Sequence, residues 1–123
     1  MIKLSRKEID MHSIPMEERG DIVILRLDGP LDPAHANALQ HYLAILLTAG
    51  WKKVIIDMNE VSAILSYGCG TLTHLIKEAK QNGMQMKFFG FQPEPKAVLE
   101  RNNIDKILPC YATEEEAIAS FSS

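Results

Sequence analysis

Residues 54–57 read Val-Ile-Ile-Asp, three branched apolar residues in a row closed by a carboxylate. A strand with one face in water alternates apolar and polar residues, so this run belongs to a strand covered on both faces, as in a parallel sheet between helices. Upstream, Ile22 to Leu27 is a second run dense in branched apolar residues, ended by the turn-forming Asp28-Gly29-Pro30. Before it, Ile9 to Glu18 reads as an irregular edge strand, because Pro15 cannot donate a ladder hydrogen bond from a central position. The polar turn Glu17 to Asp21 joins the two as an antiparallel hairpin.

Between these runs the period changes from two to 3.6. Asp32 followed by Pro33 is a helix start, the carboxylate accepting from backbone N–H groups and Pro33 standing where none is needed. The helix is expected to run to about Ala49 with Gly50 as its stop, burying Ala36, Leu39, Leu43, Leu46 and Leu47. Downstream of the 54–57 strand come a loop, Met58 to Leu65, and a second helix from Ser66 to about Gln81, with Leu72, Leu75, Ile76 and Ala79 on one face and Asn82-Gly83 as the stop. Met84 to Phe89 is the next strand. Pro93 and Pro95 open a short helix that Asn103 ends in a left-handed conformation, and Leu108 to Tyr111 is a last short strand. Thr113 and Glu116 form a capping box for a terminal helix whose inner face is Ala117, Ile118 and Phe121. The expected architecture is α/β: a mixed, mainly parallel sheet of four to five strands, entered by an antiparallel hairpin and flanked by about four helices. Residues 1–123 are expected to form one domain, with its core at about 9–121.

Composition agrees. The chain has 123 residues, 46% apolar and 24% charged, enough for one packed core and too few for two. A net charge of −3, from 13 basic and 16 acidic residues scattered along the chain, offers no stripe for a phosphate backbone and argues against nucleic acid as a partner. No apolar run approaches the ~20 residues needed to cross a bilayer, and Met1 to Asp10 lacks the apolar centre of a secretory signal, so a cytoplasmic location is expected. Cys69 and Cys110 have no partner at metal-ligand spacing and read as two small buried residues.

A catalytic site needs convergent groups, and none stands out locally. His12, His35, His41 and His74 fall on different segments or faces and read as surface residues. Asp32 is explained by capping, with partner contact a compatible second duty. Gly68-Cys69-Gly70 lacks the third glycine or the Gly-Lys-Ser/Thr of a phosphate-cradling loop; its glycines instead allow another backbone close to the start of the second helix. A helix N-terminus carries positive partial charge and free N–H donors, so the loop Ser62 to Gly70 suits an acidic partner. No catalytic residue, metal ligand or cofactor is expected.

These pieces, in this order, resemble the STAS domain, found in bacterial anti-sigma-factor antagonists and in the cytosolic tails of sulfate transporters. The similarity spans about Ile9 to Phe121 and rests on Ile22 to Asp32 (IVILRLDGPLD), Val54 to Asp57, Leu65 to Leu72 (LSYGCGTL) and Pro95 to Ala117. In the family the loop before the second helix reads Asp-Ser-Ser-Gly or Asp-Ser-Thr-Gly, and a partner kinase phosphorylates its second hydroxyl. Here Leu65 stands at the Asp, Ser66 at the first Ser, Tyr67 at the phosphoacceptor and Gly68 at the Gly. The usual acceptor is therefore absent, and a serine kinase cannot use Tyr67 in its place. Ser66 is the remaining candidate for phosphorylation, although as the expected N-cap its oxygen is engaged. The resemblance implies a non-enzymatic module that docks an anti-sigma factor or kinase-like regulator through Asp32, Ser62, Leu65, Ser66, Tyr67 and Gly68. Tyr67 is either an aromatic anchor for the partner or a side chain packed over the helix and strand ends. The alternatives are a STAS subunit or soluble partner of a membrane transport complex, and a small nucleotide-binding protein using the Gly68 to Gly70 turn. A homodimer is compatible with each.

Overall fold

The computed structural model describes residues 14–121, apart from the side chains of Ser66 and Tyr67. The first half of the edge strand expected from Ile9, together with His12, lies outside the described residues.

Among the described residues five strands stand in one sheet in chain order: β1 (Met16–Arg19), β2 (Ile22–Asp28), β3 (Lys53–Glu60), β4 (Gln85–Phe89) and β5 (Cys110–Tyr111). β1 and β2 are antiparallel, and every later pairing is parallel. Among the described residues three connections carry a helix, α1 (Pro33–Thr48), α2 (Ser66–Gln81) and α3 (Pro93–Arg101), and α4 (Glu114–Ser120) follows β5. The expected fold class is the observed one. β3 is longer than the run at 54–57 suggested, because the inward alternation Val54, Ile56 continues to the fully buried Met58, and Glu60 still pairs with Asp28. The loop expected from Met58 therefore begins only at Val61.

The two faces of the sheet are covered unequally. One face presents Val23, Leu25, Leu27, Val54, Ile56, Met58, Met86 and Phe88 to Leu39, Leu43 and Leu46 of α1, Leu72, Leu75 and Ala79 of α2 and Leu99 of α3. Among the described residues, the other presents Ile22, Ile24, Ile55 and Phe89 to α4, through Ala117 with Ile118 and Phe121 beside it. Val54, Ile55 and Ile56 are all fully buried, as a strand with two covered faces requires.

Charged side chains hold the lighter face. The Arg26 guanidinium donates to Asp57 at 2.8 Å, Glu114 at 2.9 Å and Glu17 at 3.1 Å, joining β2, β3, α4 and β1. Lys87 donates to Ser120 at 2.7 Å, and its ammonium lies 4.4 Å from the centre of the Phe121 ring. Thr113 accepts from the Glu116 N–H as expected of a capping box, but Glu116 reaches back to the N–H of Ala112, one residue before the cap.

Helices α1, α2 and α3 end in the same way. The residue after each C-cap is left-handed: Gly50 at φ +93°, Gly83 at +77° and Asn103 at +57°. The residue after that, Trp51, Met84 or Ile104, donates back to Leu46, Ala79 or Leu99, the bond that closes a Schellman turn. An apolar side chain at that position then packs onto the core as the chain enters the next strand.

Candidate functional site

β2 and β3 are parallel neighbours, and their pairing outlasts the strands. The Gly29 N–H donates to Glu60 at 2.9 Å, the Leu31 N–H donates to Ala63 at 2.8 Å, and Leu31 and Ile64 form an isolated parallel bridge. Both chains then turn into helices, α1 after Asp32 and α2 after Leu65. Two helix N-termini thus start side by side at one rim of the sheet, and this rim contains all the site residues expected from the sequence.

Asp32 is the N-cap of α1 as expected, accepting from the His35 N–H at 2.9 Å, with its side chain 37% exposed. The His35 ring was read as a surface group. It is instead half-buried, with Nδ1 2.9 Å from Asp32 Oδ1, because a residue three positions on in the first turn lies directly over the cap. That i, i+3 spacing was the available signal.

The N-cap of α2 is Leu65, where Ser66 was expected. The Leu65 carbonyl accepts the first helical bonds, from Gly68 at 2.7 Å and Cys69 at 3.3 Å, which places Ser66 inside the helix. Leu65 supplies no side-chain acceptor, and it is 49% exposed. Ser62 is exposed three residues earlier. The side chains of Ser66 and Tyr67, and with them the anchor and phosphorylation readings, lie outside the described residues.

Gly68 is buried. A Cβ there would stand 3.2 Å from the Ile64 side chain and 3.3 Å from the Leu31 carbonyl, so the close backbone approach it permits comes from this chain's own neighbouring loop. Gly70 is exposed, with nothing near its face.

The cysteines differ from the expected pair of buried residues. Cys69 is buried in α2 and burial pushes its thiol pKa up. Cys110 is exposed because β5 is an edge strand, yet desolvation, with the Asp105 carboxylate second, pushes its thiol up to about 11. Among the described residues no three His, Cys, Asp or Glu side chains gather as they would around a metal ion, and no helix is long and apolar enough to cross a membrane.

The family profile of the STAS domain matches residues 13–117. The chain belongs to the STAS domain family. BtrV of Bordetella bronchiseptica, named as a candidate anti-sigma factor antagonist, is 24% identical over 110 residues, 89% of this chain and 95% of BtrV. The crystal structure of a protein from Thermotoga maritima described in the same terms superposes with a TM-score of 0.81 at 22% identity, over 89% of this chain and 95% of that one. The anti-sigma factor antagonist SpoIIAA of Bacillus, in its unphosphorylated form, gives 0.74 at 20% identity over 89% and 96%. At such identities the structural likenesses speak for the fold. For this STAS chain the fold is what brings Asp32, Ser62 and Leu65 to one rim.

Proposed function

We propose that this chain is a non-catalytic regulatory module that binds an anti-sigma factor, or a kinase-like regulator of that type, and so frees a sigma factor. The binding surface is the rim where α1 and α2 begin: Asp32, Ser62, Leu65, Ser66 and Tyr67, supported from beneath by Gly68. The observation that carries this reading is the exposure of Leu65. A large apolar side chain half in water, beside an exposed Ser62 and a half-exposed carboxylate, is a small apolar anchor with a polar rim. Family membership and the likeness to BtrV support this partner class.

In this reading the usual serine switch is absent, with Tyr67 at the acceptor position. A phosphoserine there would add up to about two negative charges to the interface, which explains how phosphorylation releases a partner elsewhere in the family. Incubation with serine kinases of the anti-sigma type leaves Ser66 and Tyr67 unmodified, and stoichiometric phosphate on either, seen by mass spectrometry, overturns this part.

The binding test uses the anti-sigma factor encoded nearest to this gene, in pull-down and calorimetry. Leu65→Glu weakens binding about tenfold or more without changing the melting temperature. Asp32→Asn keeps a good N-cap and removes the charge, so any loss of affinity reports partner contact rather than helix stability. Unchanged affinity in both variants refutes the surface. Copurification with an ATP-binding transporter subunit in place of an anti-sigma factor refutes the partner class.

A further inference from the structure

A second site lies farther along the same rim, at the β5 edge of the sheet. β4 and β5 are adjacent and parallel, but the chain leaves them toward opposite faces: α3 packs through Leu99 on the face of α1 and α2, whereas α4 packs through Ala117 on the other. Where neighbouring parallel strands send their connections to opposite faces, a crevice opens beyond their carboxyl ends, and in open α/β sheets ligands bind there. In this chain the crevice is real: an open-sided cavity of about 480 Å³, within the range of small-molecule sites, lies between α3 and β5.

Its lining is amphoteric. Leu99 and Tyr111 give it an apolar floor, Lys96 brings one positive charge, and Glu100 and Asp105 bring two negative charges. Cys110 lines the cavity with them. A phosphate-bearing ligand would meet two carboxylates against one ammonium. A molecule with two positive charges and one negative charge complements the set.

The geometry points to a binding site for a small amphoteric amine of the basic amino acid class, its carboxylate on Lys96, its amino groups on Glu100 and Asp105, and its methylene chain over Leu99 and Tyr111. No reaction is implied. The site shares no residue with the surface where α1 and α2 begin, so it stands or falls independently of the partner proposed there.

The test uses the full chain with free L-arginine and L-lysine as probes and L-glutamate, of reversed charge, as control. Amide shifts in a ¹⁵N-labelled sample are expected to centre on Asp105 and Tyr111 with arginine or lysine, and to be absent with glutamate. Either basic probe should also slow alkylation of Cys110 while leaving the buried Cys69 unchanged as an internal reference. Lys96→Met and Asp105→Asn should each weaken the response about tenfold, and circular dichroism should show both variants folded. No shift with either basic probe up to about 10 mM, equal binding of glutamate, or an undiminished response in both variants overturns the assignment.

Discussion

Replacing Arg26 by Met removes a cation that joins four elements. The guanidinium reaches Asp57, Glu114 and Glu17 at 2.8, 2.9 and 3.1 Å, and the side chains of Asp57 and Glu114 are only 13% and 18% exposed. Breaking a fully buried ion pair by removing one partner costs ~3–5 kcal/mol, whereas an exposed pair is worth ~0–1 kcal/mol. Arg26 is one-third exposed, which places its loss between these limits, at about 2 kcal/mol near neutral pH. For a domain of this size that lowers the melting temperature by roughly 8 °C.

The pH dependence separates charge from packing. Hydrogen bonds from Arg26 and then Arg19 hold the Glu17 pKa below its ordinary value. A carboxylate with a depressed folded pKa contributes stability that is present above its unfolded value and is lost as pH falls through the folded one. The contribution that Arg26 secures is therefore present at neutral pH and fades in acid. Urea unfolding of the wild type and of Arg26→Met at about pH 7 and about pH 3.5 checks this, with the gap between the two proteins shrinking at the lower pH. An equal gap at both values refutes the electrostatic account and assigns the loss to the aliphatic stem of Arg26.

Tyr42→Phe deletes the buried hydroxyl that accepts the Ile14 N–H at 2.9 Å, and leaving that donor unpaired costs about 1–3 kcal/mol in denaturant unfolding. Gly90→Ala is destabilising by about 1–3 kcal/mol, because Gly90 has φ +81° and an added Cβ would fall 2.5 Å from the Asn59 side-chain oxygen; thermal unfolding measures it, and a neutral result would show that Asn59 moves aside freely. Asn103→Gly acts in the opposite direction, raising stability by up to about 1 kcal/mol, since φ +57° is easier for glycine, and an unchanged melting temperature would refute it.

The elements were legible because each was marked chemically at its ends as well as by its period. Asp32-Pro33 fixed the start of α1, and Gly50, Gly83 and Asn103 marked three ends that the structure closes as Schellman turns. Misreadings fell where two signals competed. Asn59-Glu60 looked like loop chemistry, yet Met58 continues the inward alternation of Val54 and Ile56, and pairing with β2 carries the strand on. Ser66 has the better capping side chain, but the carbonyl that takes the first helical bonds belongs to Leu65, and no propensity reports that. The candidate site was legible as a segment and not as a surface. Asp32 and Leu65 were each visible, but their adjacency comes from the Leu31–Ile64 bridge, a contact between two loops. Arg26 and Glu114 lie 88 positions apart, and only the register of the finished sheet brings them together.

The order of parallel strands explains where function can be placed. Every strand from β2 to β5 enters the sheet at one rim and leaves at the other. At the entry rim the chain is committed: α1, α2 and α3 each end in a hydrogen-bonded left-handed turn whose next apolar residue is pulled into the core. A substitution there is paid in stability. At the exit rim the chain must start helices, whose first N–H groups have no partner within the helix. Here lie the starts of α1 and α2 and, beyond β4 and β5, the crevice beside α3. Between them, Gln92 donates to the Asn59 carbonyl at 2.7 Å, and Asn59 donates to Asp57 at 2.9 Å, which fixes the exit of β4 to that of β3. The loops of that rim can therefore vary in chemistry while the sheet beneath keeps their spacing, the condition a docking surface needs.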